Sequence, residues 1–365
     1  MTLYIGLMSG TSLDGVDGVL IDFAADGALR LRGHQHEPFV ASLRDELLAL
    51  NSSGADELHR AALAAQGVAQ TYASVVSALL FGGGTAACDV RAIGAHGQTV
   101  RHRPDVRYTL QLLDGALLAE SAGIDVVCDF RSRDVAAGGQ GAPLAPAFHA
   151  AAFGSPTEAR ALLNWGGIAN LTLLAPGAEP IGFDGGPANA LLDGWCRRHT
   201  GAAFDDDGRW AASGRPSKPL LAALLAEPWL DTPPPKSTGR DLFNLDWLDA
   251  HLSGVVAAPA DVQATLAAFT VETTAIHFER HTAAARKLFV CGGGARNGEL
   301  MRLLAARLPG VGVETTSALG VPVDQVEAAA FAWLAREFVE GRPANRPAVT
   351  GARGPRRLGA LYPAQ

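Results

Sequence analysis

The chain has 365 residues, enough for two or three domains with substantial cores. With 48% hydrophobic and 18% charged residues it is neither disordered nor collagen-like. A net charge of −7 excludes an extended basic face for nucleic acid. Glycine is the outlier, at 42 of 365 residues against roughly 7% on average. Lysine is scarce, with only Lys218, Lys236 and Lys287.

In chain order, residues 3–8 and 16–23 are expected strands on either side of a Gly/Ser/Thr/Asp turn, hence a hairpin. Residues 55–80 are alanine-rich with helical spacing. Residues 92–95 and 125–128 are short buried strands, with a helix at 115–122 between them. Residues 161–164 and 171–174 flank a second glycine-rich turn, and 190–198 are helical. The tract 231–240, with Pro233, Pro234 and Pro235, is a surface loop. Residues 288–291 form a strand that enters three glycines, followed by a helix at 299–307. A long helix at 324–340 is stopped by Gly341 and Pro343, and the tail from Arg342 is irregular. Early hairpins with later strand–helix alternation argue an α/β fold with mixed sheets. The two glycine-turn hairpins, about 155 residues apart, point to a duplicated domain. Cys88, Cys128, Cys196 and Cys291 show no CxxC spacing and are expected to be buried thiols in a reducing compartment. The N-terminus lacks the basic region of a signal peptide, and no run of about 18 apolar residues occurs. A cytoplasmic protein without a membrane span is the expectation.

The first glycine cluster, at residues 6–18, brings small residues together with the hydroxyls of Ser9, Thr11 and Ser12, so that N–H and O–H groups can converge on an anion. Asp14 and Asp17 suit Mg²⁺ held through water. An ordinary tight hairpin would use the same residues. The second cluster, at 164–170, and the third, at 291–298, are open to the same two readings. The third falls short of a Rossmann fingerprint because Asn297 stands where its last glycine should be. A glycine-lined nucleoside slot and a plain strand-to-helix turn both remain for it. Lys236-Ser237 follows proline rather than glycine, so there is no Walker A loop, and neither a kinase His-Arg-Asp nor a Gly-x-Ser-x-Gly elbow occurs. His96 and His102 lack zinc spacing.

Asp184 ends an apolar run and enters Gly185-Gly186, which makes it the candidate general base; capping of the next helix is the alternative. His96 and Gln98 follow a strand with side chains suited to hydroxyls. Arg131 offers a planar fork for a carboxylate, or an ion pair to Asp129 or Asp134. Glu327 is either a site residue or a solvated first-turn acid. The run Asp205-Asp206-Asp207-Gly208 reads as a solvated turn without metal.

Eight segments in order, MSGTSLDGVDGVLIDF, GAHGQTVRHRP, DFRSRDVAAGGQGAPLAPAFH, NWGGIANLT, GFDGGPANALLD, PPKSTGRDLFNL, CGGGARN and GVPVDQVEAAAFAWLA, resemble the anhydro-N-acetylmuramic acid kinase family. They run from residue 8 to about residue 335. The resemblance implies an α/β fold of two actin/hexokinase-like (ribonuclease H-like) domains with mixed sheets around a central ATP cleft. The domains would be residues 1–145 and 146–365, with the C-terminal tail packing back on the first. It implies that Gly10, Thr11, Ser12, Leu13, Asp14, Gly15, Val16 and Asp17 hold the ATP phosphates, with Mg²⁺ at Asp14 and Asp17 through water. Asn164, Gly166 and Gly167 would take the second phosphate side and Gly292, Gly293 and Gly294 the nucleoside. Asp184 would be catalytic, and His96, Gln98, Arg131 and Glu327 would face the sugar.

The implied reaction opens 1,6-anhydro-N-acetylmuramic acid and phosphorylates O6 with ATP, giving N-acetylmuramate 6-phosphate and ADP, in peptidoglycan recycling and amino-sugar catabolism. A small-molecule sugar partner, no nucleic acid or membrane, and a homodimer are implied as well. Three positions depart from the family pattern: Gly185 where threonine is usual, Ala188 where glycine is usual, and Leu113 in place of a glycine before Asp114-Gly115. A sugar kinase acting on a free hydroxyl and a non-catalytic actin-like ATP-binding module are the alternatives.

Overall fold

The computed structural model describes residues 2–10, 12–24, 29–234, 236–239, 241–281 and 285–365. Its strands, in chain order, are β1 (Thr2–Met8), β2 (Gly15–Phe23), β3 (Leu29–Pro38), β4 (Val90–Ala95), β5 (Gln98–Arg103), β6 (Tyr108–Leu112) and β7 (Val126–Cys128). They continue with β8 (Arg160–Trp165), β9 (Ile168–Leu174), β10 (Ile181–Pro187), β11 (Lys287–Cys291), β12 (Gly312–Thr315) and β13 (Ala360–Tyr362). The chain divides into two compact units, Met1–Ala152 with Gln325–Gln365, and Phe153–Asp324. The second therefore stops at Asp324, where a domain running to residue 365 was expected. The physical reason is the helix Val326–Val339, which packs on β1 and β4 and carries the tail into the first unit. That tail is not irregular throughout: Pro347–Thr350 makes a helical turn, and β13 pairs antiparallel with β7.

In the first unit β1, β2 and β3 form an antiparallel meander, β4 lies parallel to β1, and β7 parallel to β4. The second unit repeats this plan. There β8, β9 and β10 are antiparallel, β11 runs parallel to β8, and β12 parallel to β11. Both sheets thus have the ribonuclease H-like strand plan, with β13 added at the edge of the first.

The strands at the centre of the first sheet read as nearly continuous apolar runs because helices cover both faces. The helix Glu57–Gly83 lies against β2 and β3, burying Val68, Tyr72, Val75, Val76 and Leu79 at helical spacing. By length and composition alone this helix could cross a membrane; here its apolar stripe is part of the core of the unit. Each such side chain removed from water contributes about 1.5–3 kcal/mol. In the second unit the helix Pro259–His281 is buried almost all round, including Val262, Gln263, Ala264, Thr265, Leu266 and Ala267 in succession. It has no polar face for a 3.6-residue period to reveal, so the sequence pattern misses it. Cys128, Cys196 and Cys291 are buried free thiols, but Cys88 is exposed, contrary to expectation.

Candidate active site

In the second unit β8, β10 and β11 run the same way, so their carboxyl ends gather at one end of the sheet, where ligands of open α/β sheets bind. Asn164 is the register partner of Cys291, so the turn Gly166-Gly167 and the run Gly292-Gly293-Gly294 meet. A Cβ on Gly292 would stand 2.2 Å from Asn164 Oδ1, and one on Gly294 would stand 2.5 Å from Trp165 Cβ. These two glycines are bare because the neighbouring strand end packs on them. Gly293 is different: its Cβ would meet nothing closer than Asn189 Nδ2 at 3.7 Å, which leaves room for a ligand. The carbonyls of Gly166 and Gly167 accept from Asn189 N–H and Ala188 N–H, each at 3.0 Å, and so seat the helix Asn189–Thr200.

Asp184 lies inside β10 opposite Asn170 and does not cap the helix that follows. Gly185 is the extra residue of a β-bulge, since Gly186 pairs with Ala169. The Asp184 side chain is only 8% exposed. Its carboxylate accepts from Thr238 N–H at 2.8 Å, from the Ser237 hydroxyl at 3.1 Å and from the Asn170 amide. Its own N–H donates to the Lys236 carbonyl at 3.1 Å. Burial raises its pKa above the ordinary carboxylate value, while these donors and the Lys236 charge pull the other way. The result is an anion held in place yet readier than usual to take a proton.

The tract 231–240 is therefore more than a surface loop: Lys236 is 9% exposed, and Ser237 and Thr238 grip the carboxylate. In the sequence, Lys236-Ser237 served to exclude a Walker A loop and lay in one of the segments carrying the resemblance, but no site role was expected of these residues. The only signal was a Lys-Ser-Thr run placed straight after three prolines. At Gly185 a Cβ would make ordinary contacts, 3.6 Å to His277 Cδ2 and 3.7 Å to Ala169 O, so the departure from threonine leaves space beside Asp184.

In the first unit the parallel strands β1, β4 and β7 likewise deliver their carboxyl ends together. Ser9 is 1% exposed; its hydroxyl donates to the Gly97 carbonyl at 3.1 Å and shares a 2.8 Å hydrogen bond with Tyr72. It is thus not an available phosphate donor, contrary to the expectation from the turn composition. Gln98 Nε2 donates to the Gly10 carbonyl at 3.0 Å, tying β5 to the turn after β1. Leu13 has φ +58, uncommon for a leucine, and its 5% exposure shows the core packing that holds it there. Thr11 lies outside the described residues.

Arg131 follows β7 and donates from Nε at 3.1 Å and Nη2 at 3.0 Å to His96 Nε2, and from Nη1 at 2.8 Å to the Gly141 carbonyl. His96 therefore carries its proton on Nδ1, which donates to the Ser9 carbonyl at 3.1 Å. Burial and the adjacent guanidinium bring His96 down to about 3, so the ring is neutral. Burial lowers Arg131 to about 10, with the Glu327 charge opposing. Among the described residues Arg131 forms an ion pair with neither Asp129 nor Asp134. Asp134 instead accepts from Gly141 N–H at 2.8 Å, Asn345 at 2.6 Å and Thr350 at 2.8 Å. Two guanidinium N–H groups remain for a ligand carboxylate. Glu327 is exposed in the first turn of the helix Val326–Val339.

The two proposed Mg²⁺ carboxylates are not equivalent. Asp14 is exposed, with one oxygen accepting from Ser12 at 2.8 Å. Asp17 Oδ1 meets His34 Nε2 at 3.2 Å and His36 Nδ1 at 3.1 Å on β3. Among the described residues no group of three or more His, Cys, Asp or Glu side chains is arranged to hold a metal ion by itself. One hard carboxylate, with phosphates and water completing the shell, fits Mg²⁺. Gly15 and Val16 open β2 beside this turn. The Asp205–Asp207 run is a capping element rather than a solvated turn: Asp205 accepts from Trp210 and Ala211 N–H, and Asp207 from Gly298 N–H, each at 2.9 Å.

Comparison with known proteins bears on this arrangement. The family described as anhydro-N-acetylmuramic acid kinase matches residues 2–364. The enzyme of that name from Bordetella petrii is 63% identical over 366 residues, covering 99% of this chain and 96% of the relative. Its namesake from Cupriavidus pinatubonensis is 58% identical over 369 residues, covering 99% and 98%. That from Chromobacterium violaceum is 54% identical over 363 residues, covering 99% of each.

Proposed function

The chain belongs to the anhydro-N-acetylmuramic acid kinase family, and from that premise we propose that it uses ATP to phosphorylate O6 of 1,6-anhydro-N-acetylmuramic acid while water opens the ring. The observation that carries this reading is the buried, triply hydrogen-bonded Asp184 carboxylate at the glycine-rich end of its sheet. In a 1,6-anhydro sugar O6 is bonded to C1, so no free 6-hydroxyl exists to phosphorylate. Asp184 takes a proton from water as the water oxygen bonds to C1. The C1–O6 bond breaks with its electron pair passing to O6. O6 then bonds to the γ-phosphorus as the bond to the ADP oxygen breaks. The products are N-acetylmuramate 6-phosphate and ADP, and the proton on Asp184 passes to solvent.

Residues 10–17, 164–167 and 292–294 take the nucleotide, with Gly293 offering the open backbone. Gln98, Arg131 and Glu327 take the sugar; His96, expected there too, has both ring nitrogens engaged by the Ser9 carbonyl and Arg131 and seats the guanidinium from behind. Asp14 is the residue that would hold Mg²⁺, which when bound offsets phosphate charge; Asp17, engaged by two imidazoles, supports the strand pairing behind it. The two compact units serve as the two working domains. The enzyme acts as a cytoplasmic homodimer in peptidoglycan recycling and amino-sugar catabolism.

Reaction in ¹⁸O-water, sampled before the anomeric oxygen exchanges, tests the ring-opening step. Label at C1 of the product is expected. Unlabelled sugar phosphate would instead favour phosphorylation of a free hydroxyl, and ADP release that does not depend on sugar would favour a non-catalytic module.

Arg131, set in place by neutral His96, is assigned to the lactyl carboxylate. A hydrogen bond to a charged group contributes about 1.5–3 kcal/mol, which is roughly tenfold to hundredfold in affinity. Arg131→Ala is expected to raise KM for the acid by about that factor, and to raise it much less for an analogue lacking the carboxylate. Equal increases for both substrates would remove the assignment.

A further inference from the structure

Lys236 is one of three lysines in the chain, and it is buried. Its Nζ donates to the Leu230 carbonyl at 2.9 Å, contacts the Trp229 carbonyl at 3.5 Å and meets His277 Nε2 at 3.2 Å. It also sits 4.1 Å from the centroid of the Trp229 ring. The charged groups around it are Asp184 and Asp231, which favour the ammonium, and Arg280, which opposes it; His277 and His281 face the same space. Burial and Arg280 lower Lys236 to about 8, so it remains a cation at neutral pH. Burial lowers His277 to about 4. Its neutral ring accepts from Lys236 and must carry its proton on Nδ1, an atom without a partner among the described residues. Burying a charge and leaving a ring N–H unpaired both cost stability. A purely space-filling role would be met better by an apolar side chain.

The same residue reaches Asp184 through the backbone. The Lys236 carbonyl accepts from Asp184 N–H, and the next two residues supply the hydroxyl and the N–H that hold Asp184 Oδ2. We propose that Lys236 is a positioning residue for the base: its ammonium anchors residues 236–238 to Leu230, Trp229 and His277, and in doing so fixes the grip on Asp184 and sets a positive charge near its carboxylate. This rests on Asp184 acting as the base. The cation opposes the effect of burial, so that Asp184 stays ionised in the working pH range.

The test compares Lys236→Met, Lys236→Arg and Asp184→Asn in the full-length enzyme, with 1,6-anhydro-N-acetylmuramic acid and Mg-ATP. Lys236→Met is expected to lower kcat about tenfold to a hundredfold, with KM for ATP changed less than about threefold. The acid limb of its kcat profile is expected to move to higher pH by about 0.5 or more, because the charge that favours the Asp184 anion is gone. Lys236→Arg, which keeps the charge, is expected to hold the limb near its wild-type position even where kcat falls. Should Lys236→Met not fold, Lys236→Gln, which keeps a polar donor and removes the charge, reads the same limb. A neutral variant with reduced kcat and an unmoved limb would mean that Lys236 only supports the fold, and would overturn the proposal. If Asp184→Asn keeps wild-type turnover, the base assignment itself fails. If Asp184→Asn is inactive while Lys236→Met and Lys236→Gln match wild type, only the role of Lys236 fails.

Discussion

Asp184→Asn is expected to lower kcat by about 10²–10⁴, equivalent to about 2.7–5.4 kcal/mol of barrier, with ATP affinity retained. The substitution keeps shape and removes charge. With the amide oxygen at the Oδ2 position, Thr238 N–H and the Ser237 hydroxyl can still donate to it, and the Asn170 amide can turn its oxygen to accept from the new N–H at the Oδ1 position, so the grip survives with one bond reversed. What is lost is the proton acceptor. The pH profile gives an independent check on the same residue. Because the pKa of Asp184 is raised, the base is ionised only above that raised value. Activity should accordingly fall, as pH decreases, at a pH above the ordinary carboxylate range. Isothermal titration with ATP and a coupled kinetic assay separate the two effects. Wild-type turnover in the variant would remove Asp184 from the mechanism, and lost nucleotide binding would make it a structural residue.

Much of this site was legible because strands buried on both faces announce themselves as apolar runs, and glycine-rich turns punctuate them. The β1–β2 and β8–β9 hairpins, and a carboxylate delivered by an apolar strand into glycines, are local patterns. What grips that carboxylate is not local. Ser237 and Thr238 stand 53 and 54 positions from Asp184, inside a tract whose prolines read only as loop. Arg131 had two acidic neighbours to choose from in sequence and took neither, since Asp134 was claimed by Asn345 and Thr350 more than 200 positions away. Local charge patterning cannot reveal a competitor that arrives with the C-terminal tail. β3 was missed for another reason. It is an edge strand whose second half, Gly33-His34-Gln35-His36-Glu37, carries no apolar alternation, and pairing with β2 alone makes it a strand.

The glycine excess leads to a second large effect, one on stability. Gly6 and Gly94 are register partners on β1 and β4, and together they form a bare patch against which the helix Val326–Val339 is pressed. A Cβ on Gly6 would stand 1.9 Å from the Ala328 carbonyl oxygen and 2.6 Å from Ala332 N; one on Gly94 would stand 2.0 Å from the Phe331 carbonyl oxygen. These neighbours are backbone and cannot rotate away, so the helix itself must move. Gly6→Ala is expected to destabilise by about 1–3 kcal/mol or more, although alanine in an open strand position would gain about 0.5–1 kcal/mol over glycine. For a unit of this size that lowers Tm by about 2–4 °C per kcal/mol. Gly82→Ala is the contrasting control. Its Cβ would meet nothing within 4 Å, and it lies in the helix Glu57–Gly83, so it should hold or raise Tm. Glu327 precedes Ala328, so any shift that relieves Gly6→Ala also displaces a residue assigned to the sugar, and KM for the sugar should rise along with the loss of stability. A Gly6→Ala protein that melts no lower than wild type would show that the helix is not seated on the two glycines; one that melts lower with KM unchanged would detach Glu327 from the sugar.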